Sequence, residues 1–259
     1  MTRARVWLWP NLLSLDAPAV ALLWQVLFVR CFHGNLESAT VVLLALAVWL
    51  IYAADRMLDA LRGSCRTLRH AFYRRHWRVV SALWVAVFGA CGWIAWTQLP
   101  EGLWTPGLTM TAVALLYLLA VHLIPKLWGS GVKEAAVGVV FAAGVSVVAW
   151  PMVRSTADLL AIALFCLLCW MNCAGIEDWE RGSHARSSVV CVAGIVALLA
   201  VFLLPERRPV LACAETASAL GLVMLDRLSG RISREAMRVL ADVMLLTPVL
   251  FLNVAGKFS

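Results

Sequence analysis

Apolar residues follow one another along this chain in runs of about helix length, interrupted by short clusters of Arg, Asp, Glu, Gly and Pro. A helix needs roughly 20 mostly apolar residues to cross the ~30 Å hydrocarbon core of a bilayer. Nine runs approach or meet that length, at 17–34, 38–58, 79–99, 104–124, 132–153, 157–176, 187–204, 209–226 and 236–254. Their near-uniform apolarity excludes alternating half-buried strands and predicts an all-α, polytopic membrane protein. No polar stretch exceeds the second inner loop in length, so 1–259 is expected to form a single integral-membrane domain.

Composition agrees with that pattern. The chain is 63% hydrophobic and 14% charged, with a mean hydropathy of +0.85, whereas soluble domains are about half apolar and about a quarter charged. Cytoplasmic loops collect Lys and Arg. With the N-terminus inside, the inner side holds 17 of the 22 basic residues, and Arg30, Arg154, Arg207, Arg208 and Lys257 remain outside. That asymmetry predicts a cytoplasmic N-terminus and an outside C-terminus, and the expected location is a bacterial inner membrane. The net charge of +7 thereby reads as topology, and no nucleic-acid partner is expected; the partner is the lipid bilayer itself. Residues 1–16 lack the apolar core of a cleavable signal peptide. Several of the 13 tryptophans, among them Trp7, Trp9, Trp77, Trp104 and Trp128, fall near predicted span ends, as interfacial belts require.

The candidate chemistry lies at the inner span ends. Asp55 and Asp59 close the second run four residues apart, so a helix puts both carboxylates on one face. An acidic residue in or near a membrane span is costly and points to function, although a hydrated helix end partnered by Arg56 and Arg62 would explain the pair equally well. The sixth run ends in a second group, Glu177, Asp178 and Glu180, on the same expected side, with Asn172 two turns before Glu180 on one face. Between spans two and three, about residues 59–78 form the most basic segment, whose arginines enforce topology, bind anionic headgroups, or hold a phosphate-bearing substrate. Mg²⁺ prefers oxygen ligands and binds through one or two carboxylates plus substrate phosphates. Two acidic groups flanked by basic loops therefore suit a Mg²⁺-bridged diphosphate.

Other polar residues say less. Cys166, Cys169 and Cys173 share a helix face but have no neighbouring histidine or fourth cysteine, and packing of small side chains accounts for them. Glu215 and Asp242 lie inside spans, with Asp242 at i+4 from Arg238. His122 and Gln25 suit interhelical hydrogen bonds as well as a substrate.

Two segments resemble the motifs of the UbiA superfamily of intramembrane prenyltransferases. Asp55-Arg56-Met57-Leu58-Asp59 is similar to the D-R-x-x-D half of its first Asp-rich motif, and Ile176-Glu177-Asp178-Trp179-Glu180 to the I-E-D-x-E core of its second. A third stretch, from Tyr117 through Pro125-Lys126 to Lys133-Glu134 and Val137-Gly138, resembles the pattern between helices four and five of that family. The chain departs from it where Ile51 and Tyr52 replace the Asn and first Asp, and where Gly175 and Gly182 replace the outer aspartates of the second motif.

The resemblance implies nine transmembrane helices around a central cavity. It also implies a divergent prenyltransferase that ionises a prenyl diphosphate with Mg²⁺ and passes the prenyl group to a lipophilic or aromatic acceptor. Asp55, Asp59, Glu177, Asp178 and Glu180 would hold the metal, with Asp55, Asp59 and Asp178 catalytic. Arg56, Arg62, Arg66, Tyr117, Lys126 and Lys133 would bind the diphosphate. Two alternatives stay open: a UbiA-type terpene cyclase that ionises the same donor and cyclises it, and a non-catalytic divergent membrane protein.

Overall fold

The computed structural model describes residues 6–61, 68–124, 128, 131–181, 186–204 and 208–255. It is 85% helix, and the described residues contain no strand. Twelve α-helices follow in order: α1 (Trp9–Leu12), α2 (Asp16–Cys31), α3 (Ser38–Leu61), α4 (Leu68–Arg75), α5 (Trp77–Gln98), α6 (Glu101–Leu123), α7 (Val132–Ser146), α8 (Thr156–Arg181), α9 (Arg186–Leu203), α10 (Pro209–Arg227), α11 (Arg234–Met244) and α12 (Pro248–Ala255).

Among the described residues, five helices are long and apolar enough to cross a membrane: α3, α5, α6, α8 and α10. The chain is thus an all-helical membrane protein. The other expected spans take different forms. The first and fifth runs become α2 and α7, of 16 and 15 residues; at about 1.5 Å per residue these reach ~24 Å or less, short of a ~30 Å core. The fifth run is cut because the chain leaves the helix at Val147 and enters a 3-10 turn, Trp150–Met152, around Pro151. Within α9, the described apolar stretch is Val192–Phe202. The run at 236–254 breaks into α11 and α12 at the turn before Pro248. Proline disfavours helical backbone at the residue before it and fits the first position of a new helix, so the two pieces cannot continue as one.

The chain's contacts group into two compact units. The first comprises residues 1–22 and 37–125. In it α3 packs along α5 and also meets α4 and α6. Ala53, Ala60, Tyr73 and Val80 form its buried cluster, covered by Trp49, Met57, Phe72 and Trp84. Two indoles tie backbone carbonyls across elements, Trp49 Nε1 donating to Leu13 O at 3.0 Å and Trp84 Nε1 to Leu50 O at 2.9 Å. Phe88, Trp93 and Trp96 on α5 point outward, where lipid replaces water as the solvent for apolar side chains.

The second unit comprises residues 23–36 and 126–259. Trp24 is fully buried, stacks on Phe165 with centroids 4.4 Å apart, and donates to Leu245 O at 2.8 Å. Helices α7 and α8 share the most extensive packing, and Gly138 permits it. A Cβ there would stand 2.8 Å from Trp170 N and 3.0 Å from its Cα, backbone that cannot swing aside. Small residues allow such close approach between helices in lipid. Gly138→Ala should therefore lower stability by ~1–3 kcal/mol, read as an earlier midpoint in detergent unfolding with SDS. An unchanged midpoint would show that α7 and α8 do not meet at this glycine.

Candidate functional site

The last two turns of α3 carry Asp55, Arg56 and Asp59. All three are half-buried, and the i, i+4 spacing places both carboxylates on one side of the helix, as the sequence predicts. Arg56 at i+1 reaches back between them, its Nη1 3.4 Å from Asp55 Oδ2 and 3.9 Å from Asp59 Oδ2. These separations are Coulombic contacts rather than the short, parallel pair of hydrogen bonds of a bidentate guanidinium–carboxylate fork.

A third side chain joins them from another helix. His122, next to last in α6 and only 5% exposed, places Nε2 3.1 Å from Asp55 Oδ1. Ligand atoms of Asp55, Asp59 and His122 all lie within 4.8 Å of one another, the one such group of three among the described residues. The C-terminal ends of α3 and α6 thus meet at this point. Helix C-termini carry partial negative charge from their unpaired carbonyls. Added to two carboxylates, that field favours a cation, and two oxygen donors with one imidazole nitrogen are a chemically suitable donor set for a divalent metal.

Further basic residues lie on α4, which packs against α3. The helix α4, inside the basic segment, buries Arg69 and leaves Arg74 and Arg75 exposed. Tyr73 of α4 is 2% exposed and its hydroxyl lies 3.0 Å from Ser14 Oγ. Burial pushes the Tyr73 phenol above its ordinary value, opposed by the Ser14 hydrogen bond and by the charges of Arg56 and Arg69. Tyr117, on α6, is half-buried. Arg62 and Arg66 from the same basic segment, and Lys126, lie outside the described residues.

The second acidic group belongs to the second unit. Glu177, Asp178 and Glu180 are half-buried in the last turns of α8, and Lys133 is half-buried at the start of α7. Glu180 forms an ion pair with Arg238 of α11. At the preceding residue Trp179 Nε1 donates to Asp226 Oδ1 at 2.9 Å, and about two turns before Glu180 Asn172 Nδ2 donates to Asp242 Oδ1 at 3.0 Å. Asp242, at i+4 from Arg238, thus also accepts from α8. The polar residues at this end of α8 bind it to α10 and α11. Glu215 and Gln25 are completely buried, with no hydrogen-bond partner at either polar side-chain atom among the described residues.

Two residues escaped the sequence-based site. His122 lies 67 positions from Asp55, and nothing in an apolar helix-length run says which face of it turns toward another helix. Its one legible signal was a histidine two residues from the end of the run at 104–124. Arg69 was indistinguishable from the other arginines of the basic segment until α4 folded it inward. No protein-family model, curated protein or solved structure matches the chain.

Proposed function

We propose that this chain is an intramembrane prenyltransferase of the UbiA type, acting on a prenyl diphosphate. The observation that carries the proposal is the convergence of Asp55, Asp59 and His122 where α3 and α6 end. Supporting it are the basic residues beside the pair and the motif resemblance of the segments at 55–59 and 176–180. The proposed topology has nine crossings, with the shorter α2, α7, α9 and the broken α11–α12 completing the set, and the acidic helix ends on the cytoplasmic side of a bacterial inner membrane.

Asp55 and Asp59 would hold a divalent cation, Mg²⁺ in the simplest case, and Glu177, Asp178 and Glu180 are retained as proposed metal ligands on motif resemblance alone. The bound cation would neutralise negative charge on the diphosphate oxygens and make diphosphate a better leaving group. Arg56, already set against both carboxylates, would draw phosphate oxygens toward the site. Arg62, Arg66, Tyr117, Lys126 and Lys133 are proposed as further diphosphate contacts. The C–O bond of the donor then breaks with its electron pair leaving on diphosphate. The apolar helix faces exclude water, so the allylic cation is captured by a lipophilic or aromatic acceptor, which loses a proton.

Product analysis tests the proposal. Purified protein supplied with geranyl, farnesyl or geranylgeranyl diphosphate and a quinol or phenolic acceptor should yield prenylated acceptor. Cyclic hydrocarbon released without acceptor would replace transfer with terpene cyclisation. No consumption of any donor would leave a non-catalytic membrane protein.

A further inference from the structure

Within the site just described, the ligand that the motif resemblance does not supply is His122. We infer that His122 is the third protein ligand of the Asp55–Asp59 cation, and that the site consequently prefers a first-row transition cation of the Mn²⁺ class to Mg²⁺. This inference rests on the proposed role of Asp55 and Asp59 as metal ligands.

The geometry carries it in three steps. His122 comes from α6 and the carboxylates from α3, so the three donors belong to two helix ends rather than to one helix turn. The imidazole is almost wholly buried, while the Asp55 and Asp59 side chains are 20% and 24% exposed. Two protein donors are thus partly open and one is enclosed. Finally, the separation of His122 Nε2 from Asp55 Oδ1 is 3.1 Å. Adjacent ligands of an octahedral cation with bonds of ~2.1 Å stand ~3.0 Å apart. A cation can therefore replace the hydrogen bond between these two atoms without moving α3 against α6, and Asp59 lies within the 4.8 Å that spans the group.

The donor chemistry then selects the metal. Mg²⁺ demands oxygen ligands and gives up its waters reluctantly, whereas imidazole suits the first-row transition metals. Mn²⁺ accepts both nitrogen and hard oxygen donors in octahedral geometry, so three positions stay open for phosphate oxygens and water. A stronger nitrogen-binding cation such as Zn²⁺ usually closes to four ligands in protein sites, which leaves less room for a diphosphate. Arg56 contributes positive charge without occupying a ligand position, which weakens the site for free cations and strengthens it once a diphosphate arrives.

Electron spin-echo envelope modulation of the full-length protein loaded with Mn²⁺ in detergent, with and without farnesyl diphosphate, tests the assignment directly. Wild type should show ¹⁴N modulation from one directly bound nitrogen, and ¹⁵N-histidine labelling should replace it with the ¹⁵N pattern, a readout that needs no variant. His122→Gln should lose the modulation and bind Mn²⁺ at least 10-fold more weakly, while its Mg²⁺ affinity changes less than 2-fold. Bound Mn²⁺ without nitrogen modulation, or modulation that survives in His122→Gln, would overturn the role of His122 and leave the carboxylate site standing. No bound Mn²⁺ under either condition would overturn the metal site as a whole.

Discussion

Asp55→Asn and Asp59→Asn should each lower diphosphate release from a prenyl diphosphate by ~100-fold or more, with little change in the amount of folded protein. Asparagine has nearly the volume of aspartate and can still hydrogen-bond His122, so the junction of α3 and α6 stays intact. What disappears is one negative charge from a site that must gather a cation and a diphosphate. Removing one preorganised electrostatic contact to a developing charge typically costs ~10²–10³ in rate. The two losses should not multiply in the double variant, because both carboxylates act on one ion. Release assays beside a thermal unfolding curve for each variant give the measurement. Loss of rate with an unchanged unfolding curve is the expected result, and a variant as fast as wild type would remove the corresponding carboxylate from the site.

Arg208→Ala should destabilise the second unit strongly. Asp158, near the start of α8, is completely buried, and its two oxygens divide their bonds between elements. Oδ2 accepts from the backbone N–H of Arg154 and Ser155 at 2.9 and 3.0 Å, and Oδ1 accepts from Arg208 Nε at 2.7 Å. Arg208 also lies over the Phe32 ring, 5.4 Å from its centroid. Removing one member of a buried ion pair typically costs ~3–5 kcal/mol, because the remaining charge keeps its desolvation penalty without its partner. The two backbone bonds keep part of Asp158 satisfied, which puts the expected loss near ~3 kcal/mol, the lower end of that range. Unfolding titrations in mixed micelles should show it, and Arg208→Lys should lose less, since a cation remains but the planar donor does not. A loss below ~0.5 kcal/mol for Arg208→Ala would class the contact with exposed pairs of little consequence.

Helix content and membrane character were legible because both depend on local composition. Runs such as 79–99 and 104–124 are predominantly apolar, and the structure forms α5 and α6 over nearly the same residues, with Pro106 accommodated in the second turn of α6. Two of the runs that fail as single long helices stop at a proline. Pro151 and Pro248 sit where the fifth and ninth stretches stop, and apolarity averaged over a window conceals a single proline. The charged residues Arg234, Glu235, Arg238 and Asp242 also mark α11 as a helix with one polar side.

The Asp55–Asp59 half of the site was equally readable, because i, i+4 spacing on one helix is a local property. His122 was not, since its meeting with Asp55 depends on how α6 is rotated, which hydrophobic periodicity does not encode when every face is apolar. The residues at 177–180 show a different limit. Their spacing is the same kind of signal as that of Asp55 and Asp59, but whether such carboxylates face a cation or an arginine is decided by neighbouring helices, and Glu180 has Arg238 against it.

Diphosphate release by the purified protein, measured across geranyl, farnesyl and geranylgeranyl donors with Mg²⁺, with Mn²⁺ and with chelator, bears most directly on the Asp55–Asp59 site. Release that requires a divalent cation and falls at least ~100-fold in both Asp55→Asn and Asp59→Asn is the predicted result. No release from any donor, or release indifferent to metal and to both substitutions, would contradict it.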